Sequence, residues 1–246
     1  MSPPIGEAQA PTEEPPPSPP APIVPHVSPR ELWEAYSDNE VAGDLKYRGK
    51  DLVVTGIVRD ISKDVADNIL VALDVGEILH AVMCHVPKNE ITTVAKLSKG
   101  QLVALRGTGR GFVMQRPVLG GCHVIWAGPK AKDKIDPKVA LATARSLNIC
   151  AHKMVRVLMP ELATARDGGP VSDDDLMKVL EAQPAYRSTV DKANADLSAA
   201  GLVPLPCDHP SLFAASRCES ESVAKRPPPE CKTPWTKAVM AAIQTQ

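Results

Sequence analysis

Apolar and polar positions alternate over Asp51 to Ile61, and Asn68 to Asp74, Ile78 to Val86, Gln101 to Gly107 and Arg116 to Ile125 carry further strand signals. Alternation of period two predicts strands with one face turned to a core. Pro87 to Leu97, between the third and fourth, reads as a short helix closed by Gly100. Ser28-Pro29-Arg30-Glu31 offers a cap, a first-turn proline and a glutamate three residues on, which opens a helix. Leu32, Tyr36 and Val41 then fall near one helical face, with Trp33 beside it. Gly56 permits a coil or bulge in the long first strand, Gly76-Glu77 is a turn, and Gly120-Gly121 interrupts the fifth strand. Gly107-Thr108-Gly109-Arg110-Gly111 reads as a flexible hairpin tip. Five strands with a helix between the third and fourth make a five-stranded OB-fold β-barrel, with an N-terminal helix across one end.

The pattern then becomes helical. Asp136-Pro137 begins a helix to about residue 162, with Leu147, Cys150, Met154, Val157 and Leu158 on one face. Gly168-Gly169-Pro170 breaks it, and Ser172 with Asp173, Asp174 and Asp175 opens a second helix that Pro184 interrupts or ends. Ser188 to Ala200 is a third helix closed by Gly201. Cys207 to Cys231 is a proline-bearing loop, and Trp235 to Ile243 a last helix. The fold class is therefore α+β, in three stretches. Residues 1–27 form a disordered Pro-rich tether, 28–130 an OB-fold domain, and 131–246 an all-α C-terminal region with a Cys-bearing loop. The tether holds Pro15-Pro16-Pro17-Ser18-Pro19-Pro20. Prolines without N–H donors favour extended polyproline II. A sharper alternative is a ligand for an SH3- or WW-type groove.

Particular residues carry a family resemblance. Glu31-Leu32, Tyr36, Asn39-Glu40-Val41-Ala42, Tyr47-Arg48-Gly49-Lys50, Val53 to Val58, Leu97 to Gln101, and Val118-Leu119 with Cys122 resemble the tRNA_anti-like OB-fold family over about residues 28–126. The resemblance implies an anticodon-binding type of fold. It also implies a place among bacterial proteins that are often exported or lipid-anchored and mostly lack an assigned ligand. The rest of the chain resembles no family that can be named.

Charge and composition narrow the function. The 246 residues carry a formal net charge of −1, which removes a general pull toward polyanions. Aromatic residues make up 3 %, and none lies on the second and third strands, where OB domains stack bases. Those strands offer Ile69, Leu70, Val71, Ala72, Leu73, Leu79, His80, Ala81, Met83 and His85. Lys96, Lys99, Arg106, Arg110 and Arg116 gather around the fourth strand and its loop, as a phosphate track or as a solvated edge. No apolar run approaches the ~20 residues of a membrane span. The first residues lack the basic and apolar regions of a signal peptide, so the chain is either cytosolic or a mature or truncated exported form. The tether tilts that choice toward an extracytoplasmic place.

Six cysteines, Cys84, Cys122, Cys150, Cys207, Cys218 and Cys231, allow three disulfides or six thiols. Cys84-His85 and Cys122-His123 invite a metal site. Neighbours on a strand point to opposite faces, however, so only Cys84 with Cys122, or His85 with His123, could meet. No hydrolase elbow, zinc-protease motif, phosphate loop or EF-hand is present in the sequence. The expectation is a non-catalytic binding or scaffolding protein without cofactor or metal, for an unknown protein or oligonucleotide ligand. The alternative is a single-stranded nucleic-acid binder using the five basic residues.

Overall fold

The computed structural model of the chain describes residues 24–130, 132–151, 178, 183–220 and 227–245. Six strands form one sheet: β1 (His26–Val27), β2 (Asp51–Lys63), β3 (Ile69–Asp74), β4 (Ala81–Val86), β5 (Leu102–Val113) and β6 (Arg116–Ala127). Their order is β1-β2-β3-β4-β6-β5, and β2 also pairs with β5. The pairings of the five longer strands therefore return to their start. The thirteen-residue β2 makes this possible. Its first half, Asp51 to Ile57, pairs with β5 and its second half, from Val58, pairs with β3. A register shift between Val58 and Asp60 bends the strand from one partner to the other. The β4–β6 pairing is parallel. Leu52, Val54, Val58, Val71, Leu73, Val82, Cys84, Leu105, Leu119 and Cys122 point into one buried cluster.

Two helices precede β2. In α1 (Pro29–Asp38), the Ser28 side chain accepts from the Glu31 N–H at 3.0 Å, as the sequence predicts. The Glu31 carboxylate does not close the box; it lies 3.5 Å from the Tyr47 hydroxyl. Asn39 has extended backbone (φ −158°, ψ 102°) and ends α1, and its side chain accepts from Ala42 N to start α2 (Glu40–Tyr47). The expectation that Val41 shares the face of Leu32 and Tyr36 is thus corrected. The break at Asn39 turns Val41 outward, 72 % exposed, while Leu32, Tyr36 and Tyr47 are buried.

The glycines act differently from their expected roles. Gly107 to Gly111 lies inside β5, and the hairpin tip is Met114-Gln115, both with positive φ. A side chain at Gly109 would sit 2.2 Å from the Tyr47 carbonyl oxygen, so this glycine admits the end of α2. Gly109 N–H donates to Lys50 O, and Gly49 N–H donates to Gly109 O. Gly111, at φ +102°, completes a bulge that turns Phe112 inward to stack on Tyr36, 5.4 Å between centroids. Gly56 serves close approach too: a Cβ there would meet Pro29 at 2.3 Å, and the bulge falls two residues later. β4 starts at Ala81, leaving Ile78 and Leu79 exposed in a loop. Between β4 and β5, a 3-10 turn (Lys88–Glu90) runs into α3 (Ile91–Val94).

The described part of the tail comprises α4 (Pro137–Ile149), α5 (Pro184–Ala199), α6 (Pro210–Ser220) and α7 (Pro234–Gln244). Pro184 begins α5, where proline's missing N–H costs nothing at the first position, and the end expected for the helix before it lies outside the described residues. The expected Cys207–Cys231 loop contains α6 and a 3-10 turn, Pro229–Lys232. Met154, Val157, Leu158, Gly168-Gly169-Pro170, the helix at Ser172 and residues 1–23 of the tether lie outside the described residues. Ala140, Ala144, Leu147, Leu212, Ala215, Trp235 and Val239 form a second buried cluster that also takes in Ile57 of β2 and Leu102 of β5. The helices thus cover the outer side of these two strands. Buried Arg145 ties α4 to Asp196 of α5 at 2.6 Å and to the Ala242 carbonyl of α7 at 3.0 Å.

Three disulfides close the molecule: Cys84–Cys122, Cys150–Cys207 and Cys218–Cys231. The first joins the parallel neighbours β4 and β6, and the other two lie wholly in the tail.

Candidate functional site

The five basic residues singled out in the sequence do not form one patch. Lys99 precedes β5 and Arg116 follows the hairpin at its other end. Eleven steps from Leu102 to Val113 span about 36 Å at ~3.3 Å each. Lys99 pairs with Asp60 at 2.6 Å, and this hydrogen bond holds the Asp60 carboxyl below its ordinary value. Arg106 donates through two guanidinium nitrogens to Asp51, 2.8 and 2.5 Å, which raises its own pKa. Both pairs are exposed and short-ranged in salt. Arg110 is on the same exposed side of β5 as Arg106 and lies across Gly120, whose missing side chain leaves room for it. Lys96, Arg110 and Arg116 have no ion-pair partner among the described residues.

The outer faces of β3 and β4 carry Leu70, Ala72, Met83 and His85, with no Phe, Tyr or Trp among them. At one edge of this face, Arg59 of β2 donates to the carbonyls of Glu77, Ile78 and His80. One guanidinium thus fixes the β3–β4 loop. The same loop and the start of α7 flank a cleft of about 640 Å³, lined by Arg59, Asp74, Glu77, Lys232 and Thr233. Its lining mixes both signs of charge.

A second cleft, of about 510 Å³, opens between the end of β6 and the tail helices. Trp126, Trp235 and His209 line it. Trp126 meets Trp235 and His209 edge-on, with centroids 5.7 and 5.9 Å apart. His209 Nδ1 accepts from the Ser211 N–H at 3.3 Å and lies 2.6 Å from Ser211 Oγ. Burial pushes the His209 pKa down, against the charge of Asp208. With Nδ1 accepting, the ring's proton is on Nε2.

Nearby, His26 of β1 stacks on Phe213 of α6 at 3.7 Å between centroids. Burial, then the Arg217 charge, lowers the His26 pKa to about 4, opposed by Asp208. Arg217 also donates to the His26 carbonyl at 2.9 Å.

The thiols of Cys84 and Cys122 are bonded to each other, so they are not metal ligands. His123 Nδ1 instead lies 3.2 Å from Glu90 Oε1. Among the described residues, no group of three or more His, Cys, Asp or Glu side chains could hold a metal ion, and no helix is long and apolar enough to cross a membrane. The sequence reading missed Arg59 and the Trp126–His209–Trp235 cluster. The cluster's members are 83 and 26 positions apart in the chain, and only the packing of the tail unites them.

Comparison with known proteins places the strand region. The model of the tRNA_anti-like family matches residues 6–123, the stretch that holds nearly all of the sheet. The C-terminal region matches no family. No curated protein matches the chain. Among solved structures, a lipoprotein from Klebsiella pneumoniae described as a candidate nucleic acid binder is 18 % identical. The match covers 41 % of this chain and 92 % of that one, with a TM-score of 0.36. The asparaginyl-tRNA synthetase of Pyrococcus horikoshii is 15 % identical over 46 % of this chain, with a TM-score of 0.27, and the match spans 33 % of that enzyme. An OBody bound to hen egg-white lysozyme is 20 % identical over 35 % of this chain and 85 % of its own, with a TM-score of 0.28.

Proposed function

We propose that the chain is a non-catalytic binding protein of an extracytoplasmic compartment, in which an OB-type barrel presents the docking surface and the disulfide-stapled helices brace it. The observation that carries this reading is the neutralisation of the strand cations. Arg106 and Lys99 already face Asp51 and Asp60, so the surface offers a polyanion little uncompensated charge. The outer faces of β3 and β4 add no Phe, Tyr or Trp ring. Such a surface suits a protein or peptide ligand. The three disulfides support an oxidising compartment, because glutathione and thioredoxin keep cytosolic thiols reduced.

A second reading, single-stranded nucleic-acid binding, draws on Arg110 and Arg116, which no carboxylate pairs among the described residues. Fluorescence anisotropy with a labelled 12-nucleotide DNA or RNA separates the two. The first reading expects no saturable binding below the micromolar range at physiological salt. Tight binding that weakens steeply with salt, and that is lost in Arg106→Ala/Arg110→Ala, would establish the second in its place.

A further inference from the structure

The aromatic cleft and the proline run have so far been separate observations. We propose that the cleft lined by Trp126, His209 and Trp235 is a docking groove for the chain's own proline-rich segment, Pro15 to Pro20. This goes beyond the function proposed for the barrel and does not depend on it.

Three observations converge. The first is what the cleft offers. It presents indole and imidazole rings with apolar side chains such as Val139, Leu202 and Leu205. Trp235 is 2 % exposed, and its Nε1–H makes no hydrogen bond among the described residues. A buried donor without a partner costs ~1–3 kcal/mol, so an acceptor that reaches this one on docking is favoured. His209, with Nδ1 accepting from Ser211, carries its proton on Nε2.

The second is what a proline run offers. Proline has no N–H, and polyproline II leaves every carbonyl unpaired. Such a segment is all acceptor, with flat apolar rings that suit grooves walled by aromatics. Donors and rings on one side meet acceptors and rings on the other. The extended form also has little freedom left to lose on docking.

The third is position. The chain enters the described structure at Val24, two residues before a contact with the helix whose first turn borders the cleft. His26 stacks on Phe213 of α6, and Asp208, next to His209, acts on the His26 charge. Ser211 and His209 line the cleft, and Ser211 lies two residues from Phe213 along the same helix. Two helical residues rise about 3 Å. Four steps separate Pro20 from Val24, the first described residue, about 12 Å at ~3.1 Å each when extended.

The test uses the full chain and a full-length variant with Pro15, Pro16, Pro17, Pro19 and Pro20 each changed to Ser, which alters nothing in either buried cluster. Tryptophan emission and acrylamide quenching are read in both. The proposal expects the variant to be quenched about twofold more strongly, and the difference to vanish when a synthetic peptide of residues 11–22 is added. Trp126→Ala in the variant background should abolish the peptide effect while circular dichroism shows the fold intact. If that variant misfolds, Leu205→Glu serves the same purpose. Equal quenching of the two full-length proteins overturns the proposal. If the peptide nevertheless binds in trans, the groove belongs to another proline-rich chain, and self-docking is excluded.

Discussion

The strand ring and the helical tail are held together by different means. The ring is filled by branched and large side chains: Leu52, Val54, Val58, Val71, Leu73, Leu105 and Leu119 are all fully buried, and one disulfide crosses it. The tail's cluster is rich in alanine, with Ala140, Ala144, Ala214 and Ala215; one disulfide joins it at Cys150 and a second, Cys218–Cys231, ties the tail outside it. An alanine buries far less apolar surface than a leucine, and hydrophobic stabilisation scales with that area. Where the side chains supply less, covalent links supply more by limiting the unfolded ensemble.

The largest expected effect follows directly. Changing Cys150, Cys207, Cys218 and Cys231 to Ser should destabilise the tail by about 4–8 kcal/mol, at ~2–4 per bond. The strand ring should persist. Limited proteolysis with mass mapping would then find cleavage confined to residues beyond 130. Simultaneous digestion of both regions would break the contrast and make the molecule one cooperative unit.

A smaller effect separates two glycines of the ring. Gly109→Ala drives a methyl against the Tyr47 carbonyl at 2.2 Å, a backbone atom that cannot swing aside, and should cost about 2–4 kcal/mol. Gly120→Ala meets the Arg110 side chain at 2.6 Å, which can move, and should cost less than about 1 kcal/mol. Urea denaturation of the two variants measures the difference. Equal losses would mean that α2 is not rigidly seated on β5.

The smallest effect concerns the seam between the regions. His26 is neutral in the fold down to about pH 4, whereas the unfolded residue takes up a proton near 6.5. Between those values the unfolded state binds more protons, so stability present above pH 6.5 is lost as pH falls toward 4. The loss is about 1–3 kcal/mol, discounted for partial exposure. His26→Phe, which keeps the stack on Phe213, should flatten this part of the pH–stability curve in thermal melts. An unchanged slope would assign the titration to another group.

The sequence revealed the elements whose signals are local. Ser28 and Pro29 announced α1, apolar stretches bounded by turn residues announced the five longer strands, and same-face geometry brought Cys84 and Cys122 together. Features that depend on a distant neighbour stayed hidden. The Gly107–Gly111 spacing suits a turn and a bulge equally well, and only the arrival of α2 decides between them. The helix α6 was hidden for another reason. Pro210 to Cys218 is buried on every side, so no polar stripe marks its period. The five basic residues were legible as a cluster in sequence, yet a single strand spreads them along its length and carboxylates from β2 answer two of them.

The bond from Arg217 to the His26 carbonyl joins groups 191 positions apart. A ribosome delivers residue 26 long before residue 217. During synthesis the opening strand therefore has no helix to rest against, and the Cys218–Cys231 link that anchors that helix must wait longer still. Premature release of the polypeptide, by a stop anywhere before the last thirty codons, would leave a strand region with its first segment unlatched and one flank bare.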